Sequence, residues 1–159
     1  MGQAFSELFD SLVIRYFGLL AKRIGLSLRT LADGAYEIAG KSFLMRIRRG
    51  TGHLPSVLVT ISETKGRPQD VRDLTGEVGL SVIASFNGVD LPKGEGRLQD
   101  MDAIVAQLAT FAEKFGVPYL KEEKQSLAEI REFIENKIRE KGIRDKKYNF
   151  PKNVREEWI

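Results

Sequence analysis

Between Tyr36 and Ile61 the chain alternates apolar and polar residues with a period of two, in runs separated by a glycine-rich loop. Phe43, Met45 and Ile47 fall on one side of the first long run, and Leu44, Arg46 and Arg48 on the other. Val57, Val59 and Ile61 alternate in the same way with Leu58, Thr60 and Ser62. Successive side chains of a strand point to opposite faces, so this pattern predicts antiparallel strands with one face on a core. A shorter run, Ala35 to Ala39, comes first and places Tyr36 and Ile38 together. Gly40-Lys41 suits a two-residue hairpin turn of type II′, with Gly first. The runs pair as a meander, with one apolar face and one wet face that carries arginine and threonine.

The flanking residues read mainly as helix. From Gln3 to Ile24, Phe5, Leu8, Phe9, Leu12, Tyr16, Leu19 and Leu20 recur at three- and four-residue steps, widened by Val13 and Phe17. This is an amphipathic helix with a broad stripe, stopped by Gly25, and it is the natural cover for the sheet. Leu26 to Asp33 fits either a strand or a kinked continuation. Pro68 to Thr75 suits a short helix with Pro in the first turn. Gly79 to Phe86 is rich in apolar and β-branched residues and ends at Asn87-Gly88, which predicts a fourth strand at a tight turn, with a buried helix as the alternative. Asp100 or Asp102 can N-cap a helix to Phe115, stopped by Gly116 and Pro118. Ser126-Leu-Ala-Glu129 is a capping box that opens a helix to about Lys141, ended by Gly142.

The expected fold class is therefore α+β: a long N-terminal helix packed on an antiparallel sheet of about four strands, followed by two or three C-terminal helices. Residues 1–142 are expected to form one domain, and residues 143–159 a tail, with Tyr148, Phe150 and Trp158, that is expected to dock in part on the body. The expected core is Phe9, Leu12, Tyr16, Phe43, Met45, Ile47, Val57, Val59, Ile61, Ile104, Leu108, Phe133 and Ile134. A chain of 159 residues buries about 70% of its unfolded surface, enough to need no disulfide or metal. The absence of cysteine excludes disulfides, thiolate metal sites and cysteine nucleophiles. The N-terminus lacks a signal-peptide pattern, and Leu12 to Leu20 is far short of a membrane span, so a cytoplasmic location is expected.

Three patterns could carry chemistry. Ala35-Tyr-Glu-Ile-Ala-Gly40-Lys41-Ser42 resembles a relaxed P-loop, but a P-loop opens a helix, and the residues after Ser42 alternate as a strand. The pattern reads as a hairpin turn, and no cofactor is expected. His53 is the only histidine, in a loop, with no Gly-x-Ser-x-Gly elbow to make it a catalytic base. Asp70, Asp73 and Glu77 lack calcium-loop spacing, and Asp100 and Asp102 suit a helix N-terminus, so no metal site is expected.

The remaining signal is charge. The net charge is +3, and residues 1–50 carry eight basic and four acidic side chains, with Arg46, Arg48 and Arg49 as the tightest cluster. Arginine favours interfaces because its planar fork binds carboxylate or phosphate and its stem packs on apolar groups. The expected contact surface is Leu44, Arg46, Arg48, Arg49, His53 and Leu58. With so few catalytic residue types, the expected function is non-enzymatic: a protein-binding domain with one protein partner, of the kind that acts as a bacterial immunity protein and occludes a toxin's active site. That last step is an analogy of layout. The alternatives are a nucleic-acid-binding module on the basic face and a small carboxylate-dependent enzyme.

Overall fold

The computed structural model describes residues 2–50, 52–64, 77–91, 93–124 and 126–144. The element order is α1 (Gly2–Arg23), β1 (Leu28–Thr30), β2 (Tyr36–Ala39), β3 (Phe43–Arg49), β4 (Val57–Glu63), β5 (Glu77–Gly79), α2 (Leu80–Phe86), α3 (Met101–Phe115), α4 (Val117–Leu120) and α5 (Ala128–Arg144). All five strands are antiparallel and lie side by side in chain order. The α+β class with an antiparallel sheet agrees with the sequence pattern. The helix expected over 68–75 and the tail after residue 144 lie outside the described residues.

The period-two pattern of β3 and β4 is realised residue by residue. Phe43, Met45, Ile47, Val57, Val59 and Ile61 are buried in one cluster with Tyr36, Ile38 and Val78. Helices α1, α3 and α4 close over this face. Phe9 of α1 meets the Tyr36 ring at 5.8 Å, and Phe43 meets Tyr119 of α4 at 5.3 Å. On the outside of this layer, α1 is tied to α3 by Arg15–Asp102 at 3.2 Å, Tyr16–Asp102 at 2.5 Å and Arg23–Glu113 at 3.1 Å. Of the expected core, Tyr16, Ile104, Phe133 and Ile134 are only partly buried, and the other nine are fully buried. Leu19, expected on the inner stripe of α1, is exposed, while Val13 and Phe17 lie at its centre.

Several expectations are corrected. Leu80–Phe86 is helix α2 rather than a strand, and only Gly79 of that run belongs to the sheet, at the end of β5. Leu80, Val82, Ile83 and Ala84 are all buried, because α2 packs on the sheet edge, α3 and α5 at once. Only Ser81 and Ser85, four residues apart, mark the outer side of this seven-residue helix, too little to reveal its period, and burial outweighs the strand preference of Val and Ile. Asn87-Gly88 closes this helix. Gly88 has φ +77, its N–H donates to Ser85, and the Val89 N–H donates to Ala84, a Schellman cap. Gly25 ends α1 in the same way. Neither Asp100 nor any other side chain caps α3; Asp100 pairs with Arg97, and Asp102 serves α1. Gly142 does not stop α5, which runs on to Arg144.

The β2–β3 turn is one residue later than Gly40-Lys41. The Gly40 N–H donates to the Phe43 carbonyl at 2.8 Å, which leaves Lys41 and Ser42 at the turn. Gly40 does not take the positive φ that a type II′ turn needs. Glycine fits here for a different reason: a Cβ would lie 2.7 Å from the Leu120 carbonyl oxygen, where α4 crosses the hairpin. The pairing is therefore Glu37 with Arg46 and Ala39 with Leu44. The expected turn would have set Glu37 opposite Leu44. A shift of two residues keeps every side chain on its face and changes only its partner across the strand.

Candidate functional site: the charged outer face of the sheet

The face turned away from the helices was expected to be wet. Instead Glu37, Thr60, Ser62 and Glu77 are buried there. The strand register explains why charges collect. Arg29 lies opposite Glu37, Glu37 opposite Arg46, and Arg46 opposite Thr60, so one row crosses four strands. Glu77 of β5 lies opposite Ser62, which lies opposite Leu44.

These side chains form a chain of ion pairs. Arg29 Nη2 donates to Glu37 Oε1. Arg46 Nε lies 3.5 Å from Glu37 Oε2, and its Nη1 lies 3.0 Å from Glu77 Oε1. Arg48 Nη2 donates to Glu77 Oε2. Side-chain exposure is 5% for Glu37, 1% for Glu77, 12% for Arg46 and 23% for Arg48, against 61% for Arg29 at the edge. Among the described residues these pairs join three arginines to two glutamates. Two polar atoms in it, Arg48 Nε and Thr60 Oγ1, are buried without a hydrogen-bond partner. Each such atom typically costs about 1–3 kcal/mol.

The residues expected to form a contact surface are only partly brought together. Leu44, Arg46, Arg48 and Leu58 share the outer face and are half-buried. Arg49 follows the opposite parity of β3, and its guanidinium lies 5.8 Å from the Phe9 ring on the helix side, so it leaves the cluster. His53 is exposed in the β3–β4 loop, next to exposed Leu54. Arg29, Glu37 and Glu77 are additions. Glu37 could have been found from the alternation of β2, but its pairing with Arg46 needed the true turn. Glu77 belongs to a strand too short to show a period.

The P-loop-like residues form a turn whose N–H is already engaged: Ser42 donates its backbone N–H to Glu122 Oε1 at 2.8 Å. Among the described residues, no three His, Asp or Glu side chains group as they would around a metal ion. Glu37 and Glu77 are bridged by the Arg46 guanidinium. Among the described residues no helix is long and apolar enough to cross a membrane. Protein-family models, curated proteins and solved structures yield no match to this chain.

Proposed function

We propose that this chain is a non-enzymatic, cytoplasmic protein-binding domain, that it acts as an immunity-type protein that occludes a toxin's active site, and that it meets its partner through the outer sheet face around Arg48, Leu44, Leu58 and His53. One observation supports this reading above the others: Arg46 and Arg48 are held in place by Glu37 and Glu77 on a sheet whose other face is closed by helices. Side chains fixed before binding lose less entropy on association, and the planar arginine fork suits a carboxylate on the partner.

The ion pairs also dictate how the surface is tested. Reversing the charge of Arg46 would set three acidic groups together in a buried row, so loss of binding would report loss of fold. His53→Glu with Leu58→Ser leaves the ion pairs intact, because serine sets no new carboxylate opposite Arg48. Co-expression with the product of the adjacent reading frame should relieve its toxicity and yield a stable complex. The double variant should weaken that complex at least tenfold while its thermal midpoint stays within a few degrees. Unchanged affinity would refute the assigned surface. A chain that forms no protein complex but binds nucleic acid, with affinity falling steeply as salt rises, would refute the function.

A further inference from the structure

The strand β1 ends the sheet, and among the described residues no strand pairs with it on its outer edge. The Leu31 N–H donates to the Ala35 carbonyl at 2.7 Å, which fixes the parity of the ladder between β1 and β2. In an antiparallel pair, directly opposite residues alternate between exchanging both backbone hydrogen bonds and exchanging none. Arg29 therefore bonds inward to β2, and the N–H and C=O groups of Leu28 and Thr30 point away from the sheet. Arg29 and Thr30 are exposed and Leu28 is half-buried, so this edge reaches the surface. Its two sides differ in chemistry. On the helix side, Leu28 lies against Gly18 of α1, where a Cβ would meet Leu28 Cδ2 at 3.9 Å. Ile14, one turn earlier on the same side of α1, is 57% exposed. On the outer face stands Arg29, opposite Glu37 and largely exposed.

We propose that β1 takes up an extended acidic peptide as an added antiparallel strand, with a glutamate or aspartate opposite Arg29 and apolar residues opposite Leu28 and Thr30. Main-chain bonds to an open edge supply affinity, and alternate side chains supply selectivity. The two peptide residues that exchange bonds with Leu28 and Thr30 put their side chains on the helix side. There they cover Leu28 and Ile14, apolar surface that gains by leaving water. The residue between them meets Arg29, whose Nη2 serves Glu37 and whose remaining N–H groups suit a second carboxylate. Opposite charges facing each other across two strands attract, and like charges repel. A second copy joined edge to edge over all three residues would set Arg29 against Arg29, so the charge that selects an acidic strand opposes self-pairing. A short edge strand bearing a charge is a common guard against indiscriminate pairing. This inference does not rest on the proposed partner surface around Arg48 and His53.

Titration of the full ¹⁵N-labelled chain with the peptide acetyl-Thr-Val-Glu-Val-Thr-amide, read from backbone amide signals, tests it. The Leu28 and Thr30 amides should shift saturably at millimolar peptide, and more than those of Arg29 and Leu31, which face β2. Methylating the two valine amides of the peptide, which removes the donors that face β1, should abolish the shifts. Lysine in place of the peptide glutamate should weaken binding about fivefold, and Arg29→Ala should erase that difference. Ile14→Glu, at an exposed position, should weaken binding several-fold with the thermal midpoint within a few degrees of wild type. No saturable shift, or equal binding of the methylated peptide, would overturn the added strand. Equal affinity for the glutamate and lysine peptides in the wild type would overturn the acidic selectivity. A dimer in sedimentation that already protects the Leu28 and Thr30 amides would give the edge to a second copy and refute the proposal.

Discussion

At the scale of single residues, Arg46 is the position on which most depends. It touches both buried carboxylates, so Arg46→Ala should cost about 3–5 kcal/mol by leaving Glu37 and Glu77 without their shared partner. Replacing the group together, as Glu37→Leu, Arg46→Met, Arg48→Met and Glu77→Leu, should cost less than Arg46→Ala alone, because neither a carboxylate nor Arg48 is then left without its partner. Arg29→Ala, at the exposed end of the row, should cost under about 1 kcal/mol. Chemical denaturation of the three variants checks this order. Tyr36 gives a separate handle on pH. Burial, followed by its 2.9 Å hydrogen bond to Asp10, pushes its hydroxyl up from 10.0 to about 12. The folded value lies above the unfolded one, so the contribution to stability is complete below pH 10 and is lost as pH rises toward 12. Tyr119, raised by burial and then by Glu129, and Tyr16, raised by its bond to Asp102, act in the same direction. Tyr36→Phe should cost about 1–2 kcal/mol near neutrality and lose less than wild type between pH 10 and 11.5, as read from urea midpoints.

At the scale of elements, two glycines look alike in sequence and do different work. Gly88 sits at φ +77 with open space around its α-carbon, so Gly88→Ala should cost about 1–2 kcal/mol through backbone strain at the α2 cap. Gly40 has no such φ, but a Cβ there would meet the Leu120 and Phe43 carbonyls, so Gly40→Ala should cost about 1–3 kcal/mol by pushing α4 off the hairpin. The two are distinguished by a second change: at position 88 Asn should recover part of the loss, because it tolerates the left-handed region, whereas at position 40 Asn should be worse than Ala. Thermal melts of the four variants check both halves. The misreading of Leu80–Phe86 belongs to the same scale. Periodicity needs several turns to report a helix, and the seven residues of α2 offer only Ser81 and Ser85 on the outer side.

At the scale of the whole molecule, the proposed partner surface lies on the outer sheet face, opposite the helices that close the core. What the chain determined locally was the parity of each long strand, the amphipathic stripe of α1 and α3, and hence the α+β class. These follow from short-range alternation and are insensitive to partner. The row Arg29–Glu37–Arg46–Thr60 was decided only by tertiary structure. Each of its residues was visible on its own strand, but a shift of two residues leaves parity intact and exchanges every partner across the strands. At the same hairpin Gly40 admits the Leu120 carbonyl, eighty positions away in the chain, a contact that no local pattern encodes. The same holds for Glu77, brought to Arg46 and Arg48 by a three-residue strand, and for Glu63, brought to the entrance of α5. Faces follow from local order; partners across faces follow from which segments close on one another in space.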